Sequence, residues 1–111
     1  MKTKILSIAS AIILFFSGNM MAKDTLTKAS FKVSGNCDMC KERIEKAAKS
    51  AGVKHADWSE DTHILTVSFA VEKTNLEKIQ QNVANAGYDN EKFKATEEAY
   101  KKLPKCCQYD K

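Results

Sequence analysis

What most limits the folding of this chain is a change of period across Gly35-Asn36-Cys37-Asp38-Met39-Cys40. Up to Val33 the apolar residues alternate, with Ala29, Phe31 and Val33 on one face and Lys28, Lys32 and Ser34 on the other. That pattern predicts a half-buried strand. Beyond Lys41 the apolar positions recur at helical spacing, at Ile44, Ala47, Ala48 and Ala51, and Gly52 stands where a helix-ending glycine belongs. A strand therefore feeds a helix through a glycine-started loop that carries two thiols. Thiolate is both the nucleophile and the metal ligand, and the unpaired N–H groups of a helix N-terminus favour it. The loop either binds a soft metal or exchanges a disulfide.

Ahead of the strand, Lys2 and Lys4 precede an apolar run from Ile5 to Phe16, then Ser17-Gly18-Asn19 and Met20-Met21-Ala22. A short basic head, an apolar stretch of roughly 7–15 residues and a small residue at the cut describe a secretory signal peptide. The run falls short of the about 20 residues that a membrane span needs. The expectation is cleavage near Ala22 and a periplasmic or secreted mature protein that is not membrane-embedded. The net charge of +4 shrinks when Lys2 and Lys4 leave, and its basic residues are interspersed with acidic ones, which excludes nucleic acid as a partner. All four cysteines lie in residues 23–111. An even count in an exported chain raises the prospect of disulfides. Two spaced pairs are nonetheless too few for a disulfide scaffold, and the apolar pattern supplies a thin core without them.

Val53 to Trp58 is predicted as a second strand with Ala56 and Trp58 inward, and Ser59 to Thr62 as a polar turn. Leu65, Val67 and Phe69 alternate with Ile64, Thr66 and Ser68 in a third strand that completes a hairpin. Thr74-Asn75-Leu76-Glu77 reads as a capping box opening a second helix, whose buried stripe is Leu76, Ile79, Val83 and Ala86 before Gly87. Tyr88 to Ala95 is predicted as a fourth strand carrying Phe93, and Thr96 to Leu103 as a short helix stopped by Pro104. The chain then runs into Cys106-Cys107-Gln108-Tyr109. On the first helix, Glu42 with Lys46 and Glu45 with Lys49 are expected to pair on a solvated face. Strand, helix, strand, strand, helix, strand with both helices on one face predicts an α+β fold, the ferredoxin-like βαββαβ sandwich. The expected organisation is a signal peptide (1–22), this domain (23–95), and a C-terminal helix with its Cys-Cys tail (96–111).

From Ser30 to Phe93 the sequence resembles the heavy-metal-associated domain family of small copper chaperones and exported mercury-binding proteins. Cys37-x-x-Cys40 after the first strand, the helix behind it, and Ala86-Gly87-Tyr88 after the second helix carry the resemblance. The family writes its loop as glycine, methionine, a polar residue and then cysteine. Here Asn36 alone separates Gly35 from Cys37, so the loop is one residue shorter and lacks the methionine. The resemblance implies a metal site at Cys37 and Cys40, with Tyr88 matching an aromatic that many members place beside the metal loop. It also implies delivery to a metal-transporting membrane ATPase or to another metal-binding domain.

The chemistry of the residues agrees. Two thiolates on a surface loop hold a soft ion in a near-linear site that a partner's thiolates can attack, so the ion passes by ligand exchange. Soft sulfur ligands select Cu(I), with Hg(II), Cd(II) and Zn(II) as alternatives. Lys41 is expected to offset the negative charge of the loaded site, and Met39 to lend a thioether or to pack. Cys106 and Cys107 are accessory candidates if the tail folds back over the loop, although adjacent cysteines point their side chains apart. His55 and His63 are read as surface residues away from the loop, and Trp58 as core. The expected protein is a monomeric, non-catalytic chaperone, buffer or scavenger of a soft metal ion. The rival is a small periplasmic thiol-disulfide oxidoreductase. Against it, a hairpin follows the helix, and the chain's one proline, Pro104, offers no candidate for the cis-proline loop of thioredoxin folds. Lys41 also stands where a haem-attachment motif would place histidine, and zinc would want four ligands where the loop supplies two.

Overall fold

The computed structural model describes residues 25–111. The signal-peptide reading of residues 1–22 lies outside the described residues. Three strands form one antiparallel sheet in the order β1-β3-β2, where β1 is Thr27–Lys32, β2 His55–Trp58 and β3 Ile64–Phe69. The registers Phe31↔Leu65 and Ala56↔Val67 put the apolar members of all three strands on the same face. Two helices cover that face: α1, Asp38–Ser50, and α2, Leu76–Asn85. Between the layers lie Phe31, Val33, Trp58, Leu65 and Val67 of the sheet side and Ile44, Ala48, Ile79 and Val83 of the helices, all buried. This is the α+β ferredoxin-like arrangement that the alternation predicts. Among the described residues, no helix is long and apolar enough to cross a membrane.

The edge of the sheet departs from expectation. Instead of a fourth strand over Tyr88 to Ala95, the chain makes one antiparallel bridge, Val33↔Asn90, before it turns away. The Asn90 side chain explains the turn. Its Oδ1 accepts from the amides of Lys92 and Phe93, both at 3.2 Å, while the Asn90 amide donates to the Phe93 carbonyl at 2.9 Å. An asparagine that bonds its own following backbone competes with a sheet ladder. The Ala95 amide then donates to Asp89 Oδ1 at 2.7 Å and aims the chain into α3, Glu97–Lys101, capped by Thr96.

Two local expectations change as well. The cap of α2 is Asn75, whose Oδ1 accepts from the Lys78 amide at 2.8 Å, in place of the Thr74–Glu77 box. Thr74 is buried beneath Gly52, with its hydroxyl unpartnered. The ion pair on α1 is Lys41 with Glu45, at 2.6 Å, and Glu45 Oε2 also accepts from the Trp58 amide at 2.9 Å. That carboxylate ties α1 to β2, which a purely solvated charge pair would not do.

Candidate metal centre

The cysteine loop is held by what surrounds it. The Val33 amide donates to the His63 carbonyl and the Ser34 amide to the Asp89 carbonyl, which pins both sides of the strand end. Gly35 is required by close approach. A Cβ there would stand 2.9 Å from Cζ2 of Trp58, whose indole N–H donates to the Val33 carbonyl at 3.0 Å. His63 closes the hairpin in the left-handed region (φ 65°), its ring 5.5 Å from Trp58. It lines a groove together with Gly35 and Asn36. The antiparallel register thus brings His63 to the loop end, contrary to expectation, and leaves His55 at the far end opposite Ser68.

Cys37 is the N-cap residue of α1, and Cys40 lies one turn in, fully buried. Their sulfur atoms are 3.9 Å apart, and both thiols are free. Cys37 is half-buried. The Cys40 amide draws its pKa below that of an ordinary thiol; partial desolvation opposes this, and the Met39 amide and the Cys106 and Cys40 side chains assist. This is the helix N-terminus acting on a thiol.

The C-terminal tail folds back over the loop. Pro104 leads into a short 3-10 turn, Lys105–Cys107, in which consecutive side chains diverge by about 120°. Cys107 turns inward and is fully buried, and its Sγ lies within 4.8 Å of those of both Cys37 and Cys40. Among the described residues this is the one cluster of three such ligand atoms. Cys106 turns outward, exposed, with Sγ 3.8 Å from Sδ of the exposed Met39. Its carbonyl accepts from Asn36 Nδ2 at 3.2 Å and from the Cys37 thiol at 3.7 Å, stitching tail to loop. The two adjacent cysteines therefore have different surroundings, as their backbone geometry requires.

Lys41 has a task other than the one anticipated. Its ammonium is held by Glu45 Oε2 (2.6 Å), Asp57 Oδ1 (2.8 Å) and the Trp58 carbonyl (3.0 Å). Asp57 first and Glu45 second raise its pKa. The charge is spent on the α1–β2 contact and not on the sulfur cluster. Tyr88 does flank the cluster. It is fully buried, and its hydroxyl has no hydrogen-bond partner. Burial, and next the nearby Cys107 thiol, push its pKa well above the phenol range. Burial, reinforced by Cys40, pushes the Cys107 thiol up to about 12, so this sulfur is a neutral thiol at neutral pH.

Tyr109 is the contributor that sequence reasoning missed. Its buried hydroxyl donates to the Gly87 carbonyl at 2.7 Å and accepts from the Asp89 amide at 2.9 Å. Its carbonyl accepts from the Tyr100 hydroxyl at 2.5 Å. The signal was present in the tail's own apolar spacing, with Tyr100, Leu103, Cys107 and Tyr109 all inward.

Comparison with known proteins agrees with this geometry. Of the solved structures, the CopZ metallochaperone is 24% identical with a TM-score of 0.56, over 59% of this chain and 100% of that one, and shows the fold. Oxidized MerP from Ralstonia metallidurans CH34 is 28% identical, TM-score 0.56, over 60% and 96%. A copper-binding domain from HMA7, a P-type ATPase, is 26% identical, TM-score 0.55, over 58% and 89%. No curated protein sequence matches. The family profile described as "Heavy-metal-associated domain" matches residues 30–89, from β1 through Tyr88, and the chain belongs to that family.

Proposed function

We propose that this protein is an exported, non-catalytic binder of a soft metal ion, Cu(I) foremost, that chaperones, buffers or scavenges its cargo through Cys37 and Cys40. The observation that carries the reading is the 3.9 Å approach of two free thiols at the start of α1, one partly open to solvent and made more acidic by the helix amides. Sulfur donors of this kind favour Cu(I), with Hg(II), Cd(II) and Zn(II) behind it. The similarity to a copper-binding ATPase domain and to MerP supports the class of ion, and a transport ATPase or another metal-binding domain as the exchange partner. Export rests on the basic head and apolar run of residues 1–22.

The test is an anaerobic Cu(I) titration of the reduced protein against a chromogenic Cu(I) chelator. One ion per chain, lost in Cys37→Ser, is the expected result; a wild type that competes no better than a free thiol overturns the reading. The acidity of Cys37 also suits a disulfide exchanger. An insulin-reduction assay separates the two, with no turnover expected here. Mass spectrometry of the protein from a cell-envelope fraction checks export, with Lys23 as the expected first residue.

A further inference from the structure

We propose that the C-terminal segment converts the family's two-sulfur loop into a closed three-sulfur site, Cys37–Cys40–Cys107, which retains its ion until the tail lifts. The inference rests on the soft-metal reading above and extends it to residues beyond the 30–89 that the family covers.

Sulfur spacing is the first argument. Taking a metal–thiolate bond of about 2.3 Å, two sulfurs in a linear site stand ~4.6 Å apart, and three in a trigonal plane stand ~4.0 Å apart. Cys37 and Cys40 are 3.9 Å apart, the trigonal value, and the third sulfur lies within 4.8 Å of both. The pair already stands at the closer spacing, and the third sulfur is near enough to complete a trigonal site with a modest inward shift.

The Tyr88 hydroxyl is the second. A buried hydroxyl with no partner is destabilising. This one is fully enclosed beside the Cys107 thiol, a weak acceptor while it keeps its proton. When an ion binds, the S–H bond of Cys107 breaks, a sulfur–metal bond forms and the proton leaves to solvent. The sulfur then becomes a strong acceptor for Tyr88 O–H. The orphaned donor and the third thiol are each accounted for by the other.

The fastening of the tail is the third. Tyr109 is bonded to Gly87 and Asp89, Leu103 packs on Gly87, and Asn36 reaches the Cys106 carbonyl across the loop. Because Cys40 and Cys107 are fully buried, Cys37 is the one sulfur of the three that an incoming thiolate can reach. Attack can begin at Cys37, but displacement of the other two sulfurs waits on the tail, as storage or scavenging requires and rapid hand-off does not.

The experiment is X-ray absorption spectroscopy of the full chain loaded anaerobically with one Cu(I), with chelator competition on wild type, Cys107→Ser, Cys106→Ser, Tyr88→Phe and Cys37→Ser. Three sulfurs around copper are expected in the wild type and two in Cys107→Ser. Loss of that ligand should weaken binding by at least the ~10–100-fold that outer partners of metal ligands carry, and Tyr88→Phe by about tenfold. Cys106→Ser, whose sulfur lies outside the three-sulfur cluster, should keep three sulfurs around copper. The wild-type spectrum needs no variant to fold. Two sulfurs there, or a sulfur count that Cys107→Ser leaves unchanged, overturns the third ligand while the soft-metal reading stands, provided Cys37→Ser still abolishes binding. If Cys37→Ser also binds normally, both fall.

Discussion

Tyr109→Phe is the sharpest probe of the tail, because it deletes one oxygen and keeps the ring. The ring contacts, 5.0 Å edge-on to Tyr100 and 6.1 Å stacked on Tyr88 between centroids, need no hydroxyl. The oxygen makes two bonds: it donates to the Gly87 carbonyl at 2.7 Å and accepts from the Asp89 amide at 2.9 Å. Both partners remain in the protein when it goes. A buried group left unpartnered costs about 1–3 kcal/mol, so two such groups set an expected loss of about 2–4 kcal/mol after partial rehydration. The loss should fall on the tail first, since both bonds fasten it to the turn at Gly87 and Asp89.

Two measurements locate the loss. Urea unfolding of the metal-free protein should show a lower midpoint, and amide exchange should quicken through residues 96–109 by ~30-fold or more, the local equivalent of 2 kcal/mol. Amides of β3 and α2 should slow or quicken only with global stability. A stability change under about 0.5 kcal/mol, with tail exchange unaltered, would refute the latch and with it the account of how Cys107 is held over the loop.

Other expectations are more compact. Gly35→Ala pushes a Cβ to 2.9 Å from Trp58 Cζ2, so overpacking of about 1–3 kcal/mol and a displaced cysteine loop should appear as a lower melting temperature and weaker Cu(I) competition. Lys41→Gln should cost only ~0.5–1 kcal/mol in urea unfolding and leave Cu(I) affinity within about threefold, because the ammonium serves Glu45 and Asp57 and not the sulfurs. The metal-free protein should weaken in alkali. Folding raises Cys107 from 9.0 and Tyr109 from 10.0, each to about 12, so their stabilising effect is complete below pH 9 and is lost as pH climbs toward 12. The slope is at most about 1.4 kcal/mol per pH unit for each group, and thermal melts at pH 8 and 11 measure it.

The parts of the fold legible in the sequence are those set by short-range pattern. Ala29, Phe31 and Val33 at period two, and Ile44, Ala47, Ala48 and Ala51 at helical spacing, place β1 and α1 because burying one face leaves no other register. Asn90 shows where that reasoning stops. An asparagine inside a weak apolar alternation can serve a strand or fold onto its own backbone, and only the Lys92 and Phe93 amides it accepts from decide the matter. Asn75 taking the cap from Thr74 is a competition of the same kind, one residue wide. That the Cys37 and Cys40 thiols meet at the start of α1 was legible from their spacing and the change of period around them. The split between Cys106 and Cys107 was not, because it depends on the phase of a three-residue turn set by Pro104. Lys41 misled for a tertiary reason: Asp57 and Glu45, on two different elements, outbid the sulfur loop for its charge.

The tail is better understood as a part of the core than as an appendage. Leu103, Cys107 and Tyr109 belong to the same buried cluster as Phe31, Cys40 and Tyr88. Docking buries Leu103 and Tyr109 against the entropy of ordering the segment's backbone, and the hydrogen bonds of Tyr109 and Asn36 fix where it lies. A sulfur–metal bond to Cys107, with the Tyr88 hydroxyl donating to the new thiolate, then adds to docking alone and not to the stability of β1 to α2. The ion and the tail each hold the other in place. Linkage makes this reciprocal: whatever loosens the tail must loosen the ion by the same factor. On the three-sulfur proposal, a partner that lifts residues 96–111 therefore weakens the ion's hold to that of the Cys37–Cys40 pair, from which its own thiolates can take it.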